Sequence, residues 1–115
     1  RYCNYTNDKF GNEIKIVLSD ELKNDARVIS LMNEIEECYE ELIFDGYKPE
    51  IARDVLPTCL KTEIVCTYNL REWRHFFKMR CDKSAHPKIR KLVIPLLNEF
   101  KRLIPVVFDD LNYSL

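Results

Sequence analysis

Two arginines and an asparagine frame the part of this chain best equipped for chemistry. Residues 52–80 read ARDVLPTCLKTEIVCTYNLREWRHFFKMR, with Arg53 just ahead of a Leu-Pro break and with Asn69 and Arg80 at the two ends of an aromatic-rich run. A guanidinium is planar, permanently charged and rich in donors, so on an apolar face it needs an anion or a ring of acceptors. The chemistry on offer is recognition of a phosphate, or stabilisation of negative charge on an ionisable ring. At 100° per residue, Asn69, Trp73, Phe76, Phe77 and Arg80 fall within one sector of about 100°, with Arg71, Arg74 and Lys78 on the far side. The bland alternative makes the aromatics ordinary core and lets Arg80 snorkel past the helix end to solvent. On composition alone, the rarity of buried arginine favours that alternative.

The neighbouring residues sharpen the choice. R-x-V-L-P is carried by Arg53, Val55, Leu56 and Pro57. T-E-x-x-x-T-x-N-L-R-E-W-R-H-F follows in Thr62, Glu63, Thr67, Asn69, Leu70, Arg71, Glu72, Trp73, Arg74, His75 and Phe76, and Met79-Arg80 closes the run. This succession resembles the C-terminal half of the flavin-dependent thymidylate synthases. Arg1-Tyr2 is similar to the last two residues of that family's substrate loop, and the likeness runs in order through essentially the whole chain. The family's hallmark, R-H-R-x-x-S-x-N-E-x-S, would stand immediately ahead of Arg1. The chain is therefore expected to be the C-terminal part of a longer enzyme, with the missing segment supplied from elsewhere.

The resemblance implies a role for each candidate. Arg80 is the catalytic residue: it would contact the uracil of dUMP and favour ionisation at N3, raising electron density at C5. Arg53 and Arg1 would join Arg80 in binding dUMP, and Asn69, Leu70, Arg71 and His75 would hold FAD. The implied reaction is reductive methylation of dUMP to dTMP. Methylenetetrahydrofolate supplies the carbon, NADPH reduces the flavin and FADH2 delivers the hydride, in a homotetramer with shared active sites and no metal. Each role has a structural rival. Arg53 could pair with Glu50 or Asp54. Asn69 could simply cap a helix, and His75 could be a surface histidine. On an ideal helix His75 lies about 120° from Asn69, which one flat ligand cannot easily bridge. Several relatives carry a histidine four residues after the arginine of Arg80; here that position is Ser84, and His86 follows as a helix-start residue ahead of Pro87.

Two other classes compete: a non-catalytic helical interaction module that keeps the fold, and a single-strand nucleic-acid binder using R-E-W-R-H-F-F-K-M-R, where cations alternate with stacking aromatics. With Lys+Arg 18 against Asp+Glu 19, net charge −1, bulk electrostatics give nucleic acid no support. No run approaches the roughly 18 apolar residues of a membrane span. Cysteines at positions 3, 38, 59, 66 and 81 are odd in number and widely spaced, so reduced thiols in a cytoplasmic setting are expected rather than a disulfide framework or zinc site. Cys81, beside Arg80, is the one thiol with a cation next to it, yet a buried neutral cysteine explains it as well. The family methylates uracil without an enzyme cysteine as nucleophile.

The elements that must position these residues follow from periodicity. A single domain over residues 1–115 is expected, of α+β class: a mainly helical fragment with long amphipathic helices and short strands. Ile14–Leu18 reads as a short strand or extended segment. Ser19 or Asp20 should cap a long helix from about Glu21 to Phe44, with Leu22, Ala26, Ile29, Met32, Ile35, Tyr39, Leu42 and Ile43 on its apolar stripe and Gly46 as its stop. Glu34, Glu36, Glu37, Glu40 and Glu41 form a solvated face. A short helix from Pro49 must end near Val55 because of Pro57. The β-branched stretch from Lys61 to Tyr68 reads as extended or strand. Asn69 opens the aromatic helix, which runs to about Cys81. A last helix from His86-Pro87 should bury Ile89, Leu92, Val93, Leu96, Leu97, Phe100 and Leu103 and end at Pro105, ahead of a docked tail.

Overall fold

The computed structural model describes residues 14–115, which fall into two compact units divided between Glu63 and Ile64. Their regular elements are helices: α1 (Ala26–Phe44), α2 (Pro49–Ala52) running into a 3-10 turn (Arg53–Val55), α3 (Leu70–Cys81), α4 (Pro87–Leu103) and α5 (Pro105–Phe108).

The expected strands do not form among the described residues, so the α+β assignment is corrected to an all-helical one. A single antiparallel bridge, Ile16 to Leu60, is all that remains of the sheet. It is tied by Val17 N–H to the Cys59 carbonyl and by Lys61 N–H to the Lys15 carbonyl, each at 2.7 Å. Residues 61–69 lie outside helix and strand, with Ile64 79% and Val65 100% exposed. β-Branched side chains favour a strand only where another strand supplies ladder bonds and a packed face. Lys61 has its bond to Lys15, and beyond it no strand among the described residues supplies either to residues 62–68.

In the first unit, α1 starts five residues later than the apolar stripe suggests. Asp25, not Ser19 or Asp20, is the cap, and its carboxylate accepts from the Arg27 N–H. Residues 20–24 form turns. The far end is built as anticipated. Gly46 takes φ +91°, its N–H donates to the Ile43 carbonyl, and the Tyr47 N–H donates to Leu42. That pair of bonds is a Schellman stop, for which glycine is the residue without a Cβ penalty. The acidic face of α1 is exposed apart from half-buried Glu36, which accepts the Ile14 N–H at 3.1 Å. Tyr39 and Ala52 are the sealed residues of this unit.

The second unit has a continuous core. Phe77 and Cys81 of α3, Val93, Ile94 and Leu97 of α4, Phe108 of α5 and Leu111 are buried together, with Trp73, Phe76, Ile89 and Phe100 packed against them. The rings meet edge to face: Phe77 with Phe100 at 5.1 Å between centroids, Phe100 with Phe108 at 5.3 Å and Phe77 with Phe108 at 5.8 Å. This is the preferred geometry for quadrupolar rings. The buried seam of α4 is rotated from the expected one, because Ile94 is inside while Leu92 (69% exposed) and Leu103 (60%) face outward, with Leu96 at the margin. The tail is docked by two cations. Arg90 donates to the Ser114 carbonyl at 2.6 Å, and Lys101 donates to the Leu111 carbonyl at 2.8 Å.

Candidate functional site

Asn69 sets the start of α3. Its side-chain oxygen accepts the Glu72 N–H at 2.9 Å, and its carbonyl accepts the Trp73 N–H. This capping bond satisfies a donor that the helix leaves unpaired. Glu72 in the first turn and Lys78 and Arg80 in the last turn are placed to complement the helix dipole. The buried side of α3, Trp73, Phe76, Phe77 and Cys81, is spent on the core, which leaves the other side to solvent.

That outer side carries a groove of about 430 Å3 lined by Leu70, Arg71, Arg74, His75, Lys78 and Val107. Its cations differ in what they are tied to. Arg74 forks onto Asp110, with Nη1 to Oδ1 at 2.6 Å and Nη2 to Oδ2 at 2.7 Å, and Nη1 also donates to the Val107 carbonyl. The bonds from Arg74 hold the Asp110 carboxyl down at about 2. Such a two-pronged pair fixes orientation as well as charge. Arg71, His75 and Lys78 are exposed and make no hydrogen bond or ion pair among the described residues. A neighbouring cleft of about 570 Å3 shares Arg74 and Val107 but is otherwise lined by Pro105, Val106, Asp109 and Asp110, so its remaining polar side chains are carboxyls.

The structure therefore brings together Leu70, Arg71 and His75, three of the four residues to which the resemblance assigns FAD. Asn69 does not line the groove, and its oxygen is already engaged as a cap, leaving the amide N–H pair as its free donors. Arg80 is exposed and pairs with nothing among the described residues, which therefore do not desolvate it. Of the two readings of Arg80, its exposure fits the one in which it reaches solvent past the helix end; Cys81, the next residue, takes the sealed position. Arg53 is exposed at the end of α2 in the first unit. Arg1 lies outside the described residues.

Cys81 is unsuited to nucleophilic work. Burial pushes its thiol up, against a smaller opposing pull from Arg90, and a protonated thiol is a poor nucleophile. Cys38, Cys59, Cys66 and Cys81 are all free thiols. Ser84 turns its hydroxyl and its N–H onto Asp82 at 2.6 and 2.9 Å. His86 caps α4 by accepting the Lys88 N–H at Nδ1, ahead of Pro87 in the first turn.

Sequence reasoning missed the Arg74–Asp110 fork: it put Arg71, Arg74 and Lys78 together on the far side of the helix and gave a role, by resemblance, to Arg71 alone. A signal was present: Arg71, Arg74, His75 and Lys78 stand at i, i+3, i+4 and i+7, a helical stripe in its own right. Its complement, Asp110, is too distant in sequence for periodicity to find.

α3 thus buries aromatics on one side and presents a cationic groove on the other, and sequence comparison defines the family that carries this arrangement. The chain belongs to the thymidylate synthase complementing protein family, whose model matches residues 1–106. Among individual relatives, a flavin-dependent thymidylate synthase of Geobacter sulfurreducens is 34% identical over 110 residues, covering 96% of this chain and 47% of the relative. Proteins of the same name from Mycobacteroides abscessus and Mycobacterium tuberculosis are 43% and 44% identical over 65 residues, covering 56% of this chain and 26% of each relative. The chain thus spans about half the length of the Geobacter protein. Among the described residues, no helix is long and apolar enough to cross a membrane.

Proposed function

We propose that this chain contributes the uracil-activating arginine and part of the flavin site to a thymidylate synthase that converts dUMP to dTMP. The observation that carries the proposal is that N-L-R-E-W-R-H-F is split by α3 into a face that folds and a face that does not. Trp73, Phe76 and Phe77 pack inward, while Leu70, Arg71 and His75 line one groove in the open. Folding has no use for those three side chains, and a ligand does.

The residues present suit FAD. The groove volume lies within the ~300–1,000 Å3 usual for ligand clefts. Leu70 and Val107 offer apolar contact, Arg71 offers a planar cation, and His75 offers a ring donor or acceptor. Bound FAD, reduced by NADPH, would supply the hydride for a methyl group whose carbon comes from methylenetetrahydrofolate. The chain's own part is electrostatic. Arg80 would donate to the uracil edge as negative charge develops there, a preorganised contact of the kind that gives enzymes much of their rate. Arg53, and Arg1 beyond the described residues, would neutralise the nucleotide's anion. The reaction would be that of the whole protein, with active sites shared between the chains of a homotetramer.

The test is a visible flavin spectrum in the protein purified in its full context, together with dTMP formation from dUMP. A colourless, correctly folded protein that FAD does not reconstitute would contradict the proposal. It would favour a helical interaction module instead.

A further inference from the structure

The cations of the α3 groove are not equivalent. Arg74 is neutralised by Asp110 and pinned to the Val107 carbonyl, so it shapes the wall without being free to bind. Arg71 and Lys78 are exposed, line the same groove and have no carboxylate partner among the described residues. Lys78 is close enough to Asp110 to help lower its carboxyl, but only as the least of several causes. Seven residues separate Arg71 from Lys78, two turns or about 10.5 Å along the axis, and both fall on one side of the helix. His75 lies between them.

We infer that Lys78 is a ligand-binding residue, and that Arg71 and Lys78 grip the two ends of a diphosphate that runs along α3 across His75. The spacing sets the ligand class. Two flexible cations two turns apart match phosphates in series better than a single phosphate, which one arginine fork would hold alone. An ammonium on a long stem serves as a point charge that can follow the second phosphate. The aspartate fork on Arg74 sharpens the selection, because it removes the central cation and leaves the charge at the two ends. A diphosphate joining two nucleosides occurs in both FAD and NADPH, and either could be its source. This inference rests on the proposed flavin site, to which it adds a residue and an orientation.

The probe is inorganic pyrophosphate titrated into the 115-residue chain and followed by amide NMR shifts, with FAD and NADPH as competitors. Saturable binding is expected, with shifts centred on residues 70–78, weakening as salt is raised. Lys78→Ala and Arg71→Ala should each weaken it by about fivefold, a discount appropriate to exposed charges. Lys83→Ala, which removes an exposed cation outside the groove, should not. The Lys78 and Arg71 side chains are exposed, so neither substitution threatens folding, and unchanged spectra elsewhere will verify that. Pyrophosphate that does not saturate, or equal behaviour of the Lys78 and Lys83 variants, overturns the inference while leaving FAD binding by the whole enzyme to stand on its own spectrum. Displacement by FAD and not NADPH identifies the flavin as the source, and the reverse identifies the nicotinamide nucleotide. Pyrophosphate binding with the Lys78 signature that neither dinucleotide displaces would uphold the diphosphate subsite and remove the flavin from this groove.

Discussion

Residues 14–63 contain the longest helix of the chain and very little core, whereas residues 64–115 contain shorter helices and a sealed aromatic interior. In the first unit Tyr39 and Ala52 are fully covered, and Ile29, Leu31 and Phe44 of α1 remain exposed. In the second, seven residues from three helices and the tail are buried as one cluster. Helix length therefore says little about which segment is a rigid platform. Leu70, Arg71, His75 and Arg80, the side chains proposed for flavin and uracil, stand on the helix that also supplies Phe77 and Cys81 to that core. That placement is what a site needing tight positioning requires, since misplacement of about 1 Å can cost roughly a hundredfold in rate.

Truncation of the core is the strongest way to break this contrast. Phe77→Ala removes a ring that touches Trp73, Phe100 and Phe108, and should cost ~3–5 kcal/mol in chemical denaturation. A loss under ~1 kcal/mol would mean that the second unit is not the packed platform described. The first unit should answer more weakly. Gly46→Ala meets no neighbouring atom, so its cost comes from the left-handed backbone alone, about 1 kcal/mol. An unchanged unfolding midpoint would show that the Schellman stop of α1 does not form. Cys81→Ala should lower stability by less than Phe77→Ala and leave dUMP turnover intact, since the buried thiol packs and does not react. Abolished turnover in a folded, flavin-loaded variant would restore a cysteine mechanism.

The smallest effect is in acid. Asp110 titrates at about 2 because Arg74 donates to it. A carboxyl whose pKa is lowered on folding contributes stability above its unfolded value near 3.9, and that contribution is lost as pH falls through about 2. Carboxyl NMR should give a midpoint near 2 that returns toward the ordinary range in Arg74→Ala. An Asp110 midpoint already near 3.9 in the unaltered chain would mean that the fork is absent.

Local signals made much of this legible. The cap at Asn69, the end of α3 at Cys81, the prolines that open α2 and α4 and the glycine that stops α1 all act within a few residues, so sequence spacing captures them. What depends on distant partners did not come through. Residues 62–68 have strand-forming side chains but, among the described residues, no strand to pair with. Along α4 the apolar residues are numerous enough to outline more than one seam, and the location of Phe77 and Phe108, not periodicity, selects Ile94 over Leu92. Arg80 shares a sector with Phe77, yet the interior closes over Cys81 and leaves the arginine outside. For the candidate site, residue types and their helix were readable, whereas the division of cations into a pinned Arg74 and unpaired Arg71 and Lys78 depends on Asp110, 36 residues further along the chain.

The most direct test of the division within α3, in which its exposed polar side chains serve ligands while its buried ones serve folding, is Arg80→Lys in the enzyme assembled in its full context. The guanidinium is exposed and unpaired among the described residues, so unfolding should be unchanged. Lysine keeps the charge but cannot reproduce a planar fork against a ring edge. Loss of a preorganised donor that acts as charge develops should lower kcat by roughly a hundredfold, ~3 kcal/mol, with little change in dUMP affinity. A kcat within about threefold of the unaltered enzyme, under ~1 kcal/mol, would contradict the role assigned to Arg80.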